Sequence, residues 1–189
     1  MDEIFNEDEG EYQDKMKELS EALESSNAYI KDYYFDEMGG SKLIIKMINK
    51  STNPDPEYNK LGDSGFDLRA NLPDGPVLLE CGKIMVIPTG LHFKVPFHHE
   101  LQVRSRSGLA AKHGVMVLNS PGTVDSNFVG SVMAIMYNTG AVGDLTISHG
   151  DRICQAVICP VIHNIRFEIV EKLEETNRGE NGLGSTQIK

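Results

Sequence analysis

Apolar and polar positions alternate with a period of two over short stretches of the chain from Lys42 onward. Leu43, Ile45 and Met47 alternate with Ile44, Lys46 and Ile48; Leu91, Phe93 and Val95 with His92 and Lys94; Phe167 and Ile169 with Arg166 and Glu168. A period of two sends successive side chains to opposite faces of an extended chain, so each stretch predicts a strand. Short β-branched runs at 84–87, 115–118, 132–137 and 153–158 predict further strands. The turns between them are expected at Pro73-Asp74-Gly75, Pro88-Thr89-Gly90, Pro121-Gly122 and His149-Gly150. Many short strands at close spacing predict an all-β fold, a sandwich or jelly roll, with one helical turn around 108–112.

Ahead of Lys42 the period changes. Met16, Leu19, Ala22 and Leu23 recur at i, i+3, i+6 and i+7 among Glu and Lys, which predicts a short amphipathic helix over 12–24. Tyr29, Ile30, Tyr33, Tyr34 and Phe35 follow as an aromatic patch, and Gly39-Gly40-Ser41 reads as a hinge. The organisation expected is an acidic extension over 1–40, a β domain over 41–177 and a mobile arm over 178–189, rich in Gly, Ser, Thr and Asn. The extension is expected to rest its few apolar residues on the body, with a protein partner as the second reading.

Composition narrows the function. The 189 residues carry a net charge of -10, and residues 1–40, with 13 Asp or Glu against 3 Lys or Arg, account for all of it. The body is therefore neutral, and the acidity carries no information about its ligand. Three cysteines without CxxC spacing and six histidines without a cluster indicate neither a disulfide framework nor a zinc site, so the thiols are read as buried and structural. With no tryptophan and few aromatics, a stacking surface for single-stranded nucleic acid is not expected. No apolar run is long enough to span a bilayer, and Asp2-Glu3 places acid where a signal peptide carries base, so a cytoplasmic protein without membrane attachment is expected.

Five segments join glycine to charged or hydroxyl residues: 64–68 (SGFDL), 104–110 (RSRSGLA), 122–130 (GTVDSNFVG), 150–155 (GDRICQ) and 178–186 (RGENGLGST). Arg106, Ser107 and Gly108 bring together a guanidinium, a hydroxyl and an unhindered backbone N–H, the donors that phosphate oxygens accept from. Arg178 with Gly182, Gly184, Ser185 and Thr186 repeats that chemistry on a segment able to close as a lid. Asp67 and Asp125 are then candidates for a magnesium shell and for activation of water.

In this order and at these separations, the five segments resemble the five motifs of the homotrimeric deoxyuridine triphosphatase (dUTPase) family, over about residues 43–186. The resemblance implies a jelly-roll β domain that hydrolyses dUTP to dUMP and pyrophosphate with Mg²⁺, in a homotrimer whose sites are shared between subunits. It implies that Asp125 is the base that aims water at the α-phosphorus, and that Asp67 holds the metal through water. Arg106, Ser107 and Gly108 would grip the phosphates, with Gln155 touching the phosphate chain. Asn119, Gly122, Thr123 and Val124 would read uracil, while Phe128, where the family has Tyr, would pack on the deoxyribose. Arg178, Leu183, Gly184, Ser185 and Thr186 would form the closing arm. The sequence departs from the family at Ser105 for Pro, Leu183 for Phe and Gln187 for Gly.

Two rival readings remain. A dCTP deaminase, or a bifunctional enzyme, of the same fold needs a glutamate ten residues after the hairpin aspartate. Here that residue is Ile135, which cannot transfer protons. A regulatory protein that keeps the nucleotide pocket is the other.

Overall fold

The computed structural model describes residues 33–35 and 41–180. The helix expected over 12–24 and the glycines of the expected hinge lie outside the described residues. In chain order the elements are β1 (Tyr33–Phe35), β2 (Ser41–Leu43), β3 (Lys46–Asn49), β4 (Phe66–Arg69), β5 (Val77–Leu79), β6 (Ile84–Lys94) and β7 (His99–Arg104). There follow helix α1 (Ser107–His113), β8 (Val115–Val117), β9 (Gly122–Val124), β10 (Ser131–Asn138), β11 (Leu145–Ile147) and β12 (Arg152–Pro160).

The alternation of the sequence becomes alternation of burial. On β10, Val132, Ala134, Met136 and Asn138 are buried while Met133 stands exposed between them, and on β4 Phe66 and Leu68 are buried while Asp67 and Arg69 turn outward. Two four-stranded sheets, β3-β6-β10-β8 and β4-β12-β7-β9, share one core with the β11-β5 pair, and all their strand pairs are antiparallel. Ile87, Leu91 and Phe93 of the first sheet and Leu68, Leu101, Val103 and Ala156 of the second belong to that core. Burying each of the larger side chains contributes about 1.5–3 kcal/mol, so the apolar faces fix the register of the sheets. The all-β class read from the sequence is what the chain adopts.

Three expectations are corrected. Pro88-Thr89-Gly90 is not a turn, because β6 runs through it as one 11-residue strand. The pairing with β10 shifts register there, from Met133 opposite Pro88 to Ser131 opposite His92. The extra residues are absorbed as a bulge, with Gly90 at φ 72° and Thr89 donating its hydroxyl to the Val132 carbonyl at 2.7 Å. The strand expected around Phe167 and Ile169 does not form. Those side chains are 91% and 100% exposed, and among the described residues no strand pairs with them. Of the three thiols, only Cys154 is buried. Its burial first, and then the charge of Asp67, push the Cys154 thiol up to about 12, so it stays neutral and packs as a small apolar group.

Gly65 shows how tightly β4 is set against β12. A Cβ there would lie 2.7 Å from the Ala156 carbonyl oxygen and 2.9 Å from Val157 Cγ2. Gly65→Ala is therefore expected to destabilise the fold by about 1–3 kcal/mol, seen as a lower urea midpoint at unchanged slope. An unchanged midpoint would mean that the two strands are free to part.

Candidate active site

The site is built on the outward face of the β4-β12-β7-β9 sheet and on the turn that follows β7. β12 lies between β4 and β7, so Gln155 has Asp67 opposite it on one side and Arg104 on the other. Two residues past Arg104 the chain leaves the sheet. Arg106 takes extended dihedrals as the residue before α1, and Gly114, at φ 63°, ends that seven-residue helix.

Arg106 turns back over the sheet. Its Nε donates to Asp67 Oδ1 at 2.8 Å, and its Nη1 donates to the Arg152 carbonyl at 2.8 Å. Arg152 Nη1 reaches the other oxygen, Asp67 Oδ2, at 3.2 Å. Two guanidinium groups thus converge on one carboxylate. The three side chains are 19–47% exposed, so this cluster fixes geometry and positive potential more than it stabilises the fold. Ser107 and Gly108 are exposed beside it, and a Cβ on Gly108 would meet nothing within 4 Å. A cavity of about 310 Å³ opens here, lined by Arg106, Leu109, His113, Asp151 and Arg152 among others. Arg152 was not singled out for the site from the sequence. The signal was present, since Arg152 belongs to the 150–155 segment, but only the fold brings it to Asp67.

Gln155, expected on the phosphate chain, donates its Nε2 to the Ser105 carbonyl at 2.9 Å, and so supports the turn that carries Arg106.

The second group of residues lies elsewhere. The chain leaves β8, passes Asn119 and a cis Ser120–Pro121 bond, and returns as β9 alongside β7, with Gly122 opposite Val103 and Val124 opposite Leu101. The amide of Asn119 lies over Gly122, where a Cβ would come 3.0 Å from its Nδ2. Val124 is buried and presents only its backbone, whereas Thr123 and Asp125 are exposed. Asp125 lines a cavity of about 420 Å³ with Phe97, His99, Glu100, Ser126, Asn127, Val161 and His163. Strand β6 pins the loop after it, for Lys94 donates to the Ser126 carbonyl at 2.9 Å and His92 Nδ1 to the Val129 carbonyl at 3.0 Å. Neither residue was singled out from the sequence, where both look like ordinary outward positions of a strand. Phe128 is 44% exposed and its ring lies against Gly130, where a Cβ would meet the ring at 2.5 Å.

Within one chain the two groups do not meet. Asp67 is on the edge strand β4 and Asp125 follows the opposite edge strand β9, with β12 and β7 between them. Three inter-strand steps are about 14 Å, and Asp125 lies about 13 Å further along the strands than the Asp67 level. Arg178 is described and belongs to the exposed stretch after β12, while Leu183, Gly184, Ser185 and Thr186 lie outside the described residues.

Among the described residues no group of three His, Cys, Asp or Glu could hold a metal ion. Nor is any helix of the described residues long and apolar enough to cross a membrane.

Comparison with known proteins gives the family from two directions and the fold from a third. The dUTPase family model matches residues 51–187. The deoxyuridine 5'-triphosphate nucleotidohydrolase of Roseobacter denitrificans is 48% identical over 133 residues, 70% of this chain and 86% of that protein. That of Bdellovibrio bacteriovorus is 46% identical over 142 residues, 75% of this chain and 93% of that protein. In fold, the chain is similar to the Staphylococcus bacteriophage 80alpha dUTPase solved with dUpNHpp, at a TM-score of 0.68 and 24% identity, covering 77% of this chain and 99% of that one. A family model spanning most of the chain, and relatives this similar over most of their own length, lead to one conclusion: this chain belongs to the dUTPase family.

Proposed function

We propose that the protein hydrolyses dUTP to dUMP and pyrophosphate, by attack of one water on the α-phosphorus in line with the departing pyrophosphate. The observation that carries this reading is the convergence of Arg106 and Arg152 on Asp67, with Ser107 and Gly108 open beside them. Negative charge grows on the departing oxygens, and donors already fixed in place stabilise it without reorganising. Arg106, Ser107 and the Gly108 N–H supply such donors. Gln155 holds their turn through the Ser105 carbonyl.

Asp125 is the base. It is exposed, on a loop pinned from β6, where its carboxylate is open to take a proton from water. Asn119 and the backbone of Gly122, Thr123 and Val124 read the polar edge of uracil. A cytosine there would leave buried donors and acceptors unpaired, which is a costly mismatch. Phe128 packs on the deoxyribose. Arg178, Leu183, Gly184, Ser185 and Thr186 close over the phosphates as an arm that excludes water.

Mg²⁺ fits this donor set only through water. Asp67 is a single carboxylate and both its oxygens already accept from arginine, so it can take a hydrogen bond from a hydrated ion but cannot form a cage. Magnesium suits that arrangement because it keeps several waters and relies on substrate phosphates for the rest of its shell. When bound, it neutralises charge on the triphosphate.

The protein acts as a homotrimer with shared sites, in the cytoplasm. The separation of Asp125 from Arg106 within one chain supports this, because a phosphate gripped by Arg106 is out of reach of the same chain's Asp125. The run with Ile165, Phe167, Ile169 and Leu173, 60–100% exposed, supports it too, since a second copy would cover such an alternating apolar segment. Pyrophosphate release, compared across the four deoxynucleoside triphosphates and dUTP with Mg²⁺ or chelator, tests the reading. Turnover of dUTP alone, lost on chelation, is expected. Release of ammonia from dCTP would favour the deaminase instead.

A further inference from the structure

We infer that Ser105 is a positioning residue that locks the phosphate-gripping turn to the tip of the base-reading hairpin. This rests on the roles proposed for 106–108 and 119–124. Three hydrogen bonds meet at Ser105. Its hydroxyl oxygen accepts from the Val117 N–H at 2.9 Å, its own N–H donates to Ser120 Oγ at 3.3 Å, and its carbonyl accepts from Gln155 Nε2 at 2.9 Å. Val117 is fully buried at the end of β8, where the chain departs for Asn119, and Ser120 stands inside the hairpin tip. The bonds therefore clamp the hairpin tip from both its entry and its turn.

The returning strand does not do this. Its pairing holds Gly122 to Val124 against β7, so Asp125 at that end is fixed independently of Ser105. The tip, from Leu118 to Pro121, has the Leu118 N–H bond to the Ile135 carbonyl at 2.8 Å, the turn bond from the Ser120 N–H to the Val117 carbonyl at 3.2 Å, and the Ser105 clamp. A proline at position 105, the residue of the family pattern, has neither an N–H nor a hydroxyl and can make neither of the first two Ser105 bonds. This chain thus ties the junction by hydrogen bonds that a proline could not make. In the shared-site arrangement, the hairpin and turn that Ser105 joins serve two neighbouring sites.

The test compares Ser105→Ala, Ser105→Thr and Ser105→Pro with the unaltered full chain in steady-state turnover of dUTP and dCTP, together with amide exchange at Val117. Loss of the hydroxyl orphans a buried N–H and loosens uracil reading while leaving Asp125 in place. Ser105→Ala is expected to raise KM for dUTP about tenfold, to change kcat less than about threefold, and to lower the dUTP-over-dCTP preference about tenfold. Val117 exchange should quicken in parallel. Ser105→Thr, which keeps the hydroxyl, should stay within about twofold of the unaltered chain on every measure, and Ser105→Pro should raise KM at least as far as Ala. An Ala variant with a lower melting temperature but unchanged KM and preference would make Ser105 merely structural, and a Thr variant that behaves like Ala would also overturn the inference. If the unaltered chain leaves dUTP intact, the proposed chemistry fails and Val117 exchange alone decides the clamp: unchanged protection in the Ala variant removes it.

Discussion

Asp125→Asn is expected to lower kcat for dUTP by about 10²–10⁴-fold while dUpNHpp still binds within about threefold of the unaltered affinity. Asn keeps the shape of the side chain and loses its charge and its capacity to take a proton. Asp125 is exposed, and its main-chain carbonyl accepts from the Phe128 N–H at 3.0 Å, so the loop geometry does not depend on the carboxylate. The loss should therefore fall on the transition state and spare the ground state. Rapid-quench turnover and calorimetric titration separate the two. A variant that turns over at the original rate would remove Asp125 from the base role, and one that no longer binds would make it a binding residue instead.

The second large effect is a recovery. Arg106→Ala deletes the guanidinium that bridges Asp67 and the Arg152 carbonyl, and is expected to cost about 10³-fold in kcat/KM, in line with the loss of a charged donor to a growing negative charge. Each of the two variants alone should then be almost inactive. Refolded together in equal amounts, they should regain about one quarter of the unaltered activity, because a mixed assembly contains sites that draw Arg106 from one kind of chain and Asp125 from the other. The sheet enforces this, since Arg106 turns back to Asp67 on the edge strand β4 whereas Asp125 follows the opposite edge strand β9. A mixture as inactive as its parts would mean that each site is complete within one copy.

Much of the fold was legible because burial selects alternation. The buried Leu91, Phe93 and Val95 have the period that predicted a strand, and the buried Val132, Ala134 and Met136 fall in a short run that predicted another. Legibility ended where a local signal had two meanings. Pro88-Thr89-Gly90 has the composition of a turn, yet it lies within β6 because Thr89 is 1% exposed and bonded to the neighbouring strand, and because a bulge tolerates Gly90 at positive φ. Phe167 and Ile169 have the period of a strand, yet pairing needs a neighbour as well as a pattern. No residue spacing reveals whether that neighbour belongs to the same chain.

The sequence by itself determined the chemical inventory: an all-β body, a guanidinium beside serine and glycine, two separated carboxylates, and five ordered segments whose agreement names the family. Those are properties of side-chain type and local order, which a linear chain carries without folding. Only the tertiary structure decided which of these groups share a space. It brought Arg152 to Asp67 across 85 residues of chain, turned Gln155 toward Ser105, and set Asp125 at the edge opposite the Asp67 that Arg106 bonds. Strand order and register fix such distances, and they follow from how every apolar face in the molecule is buried at once.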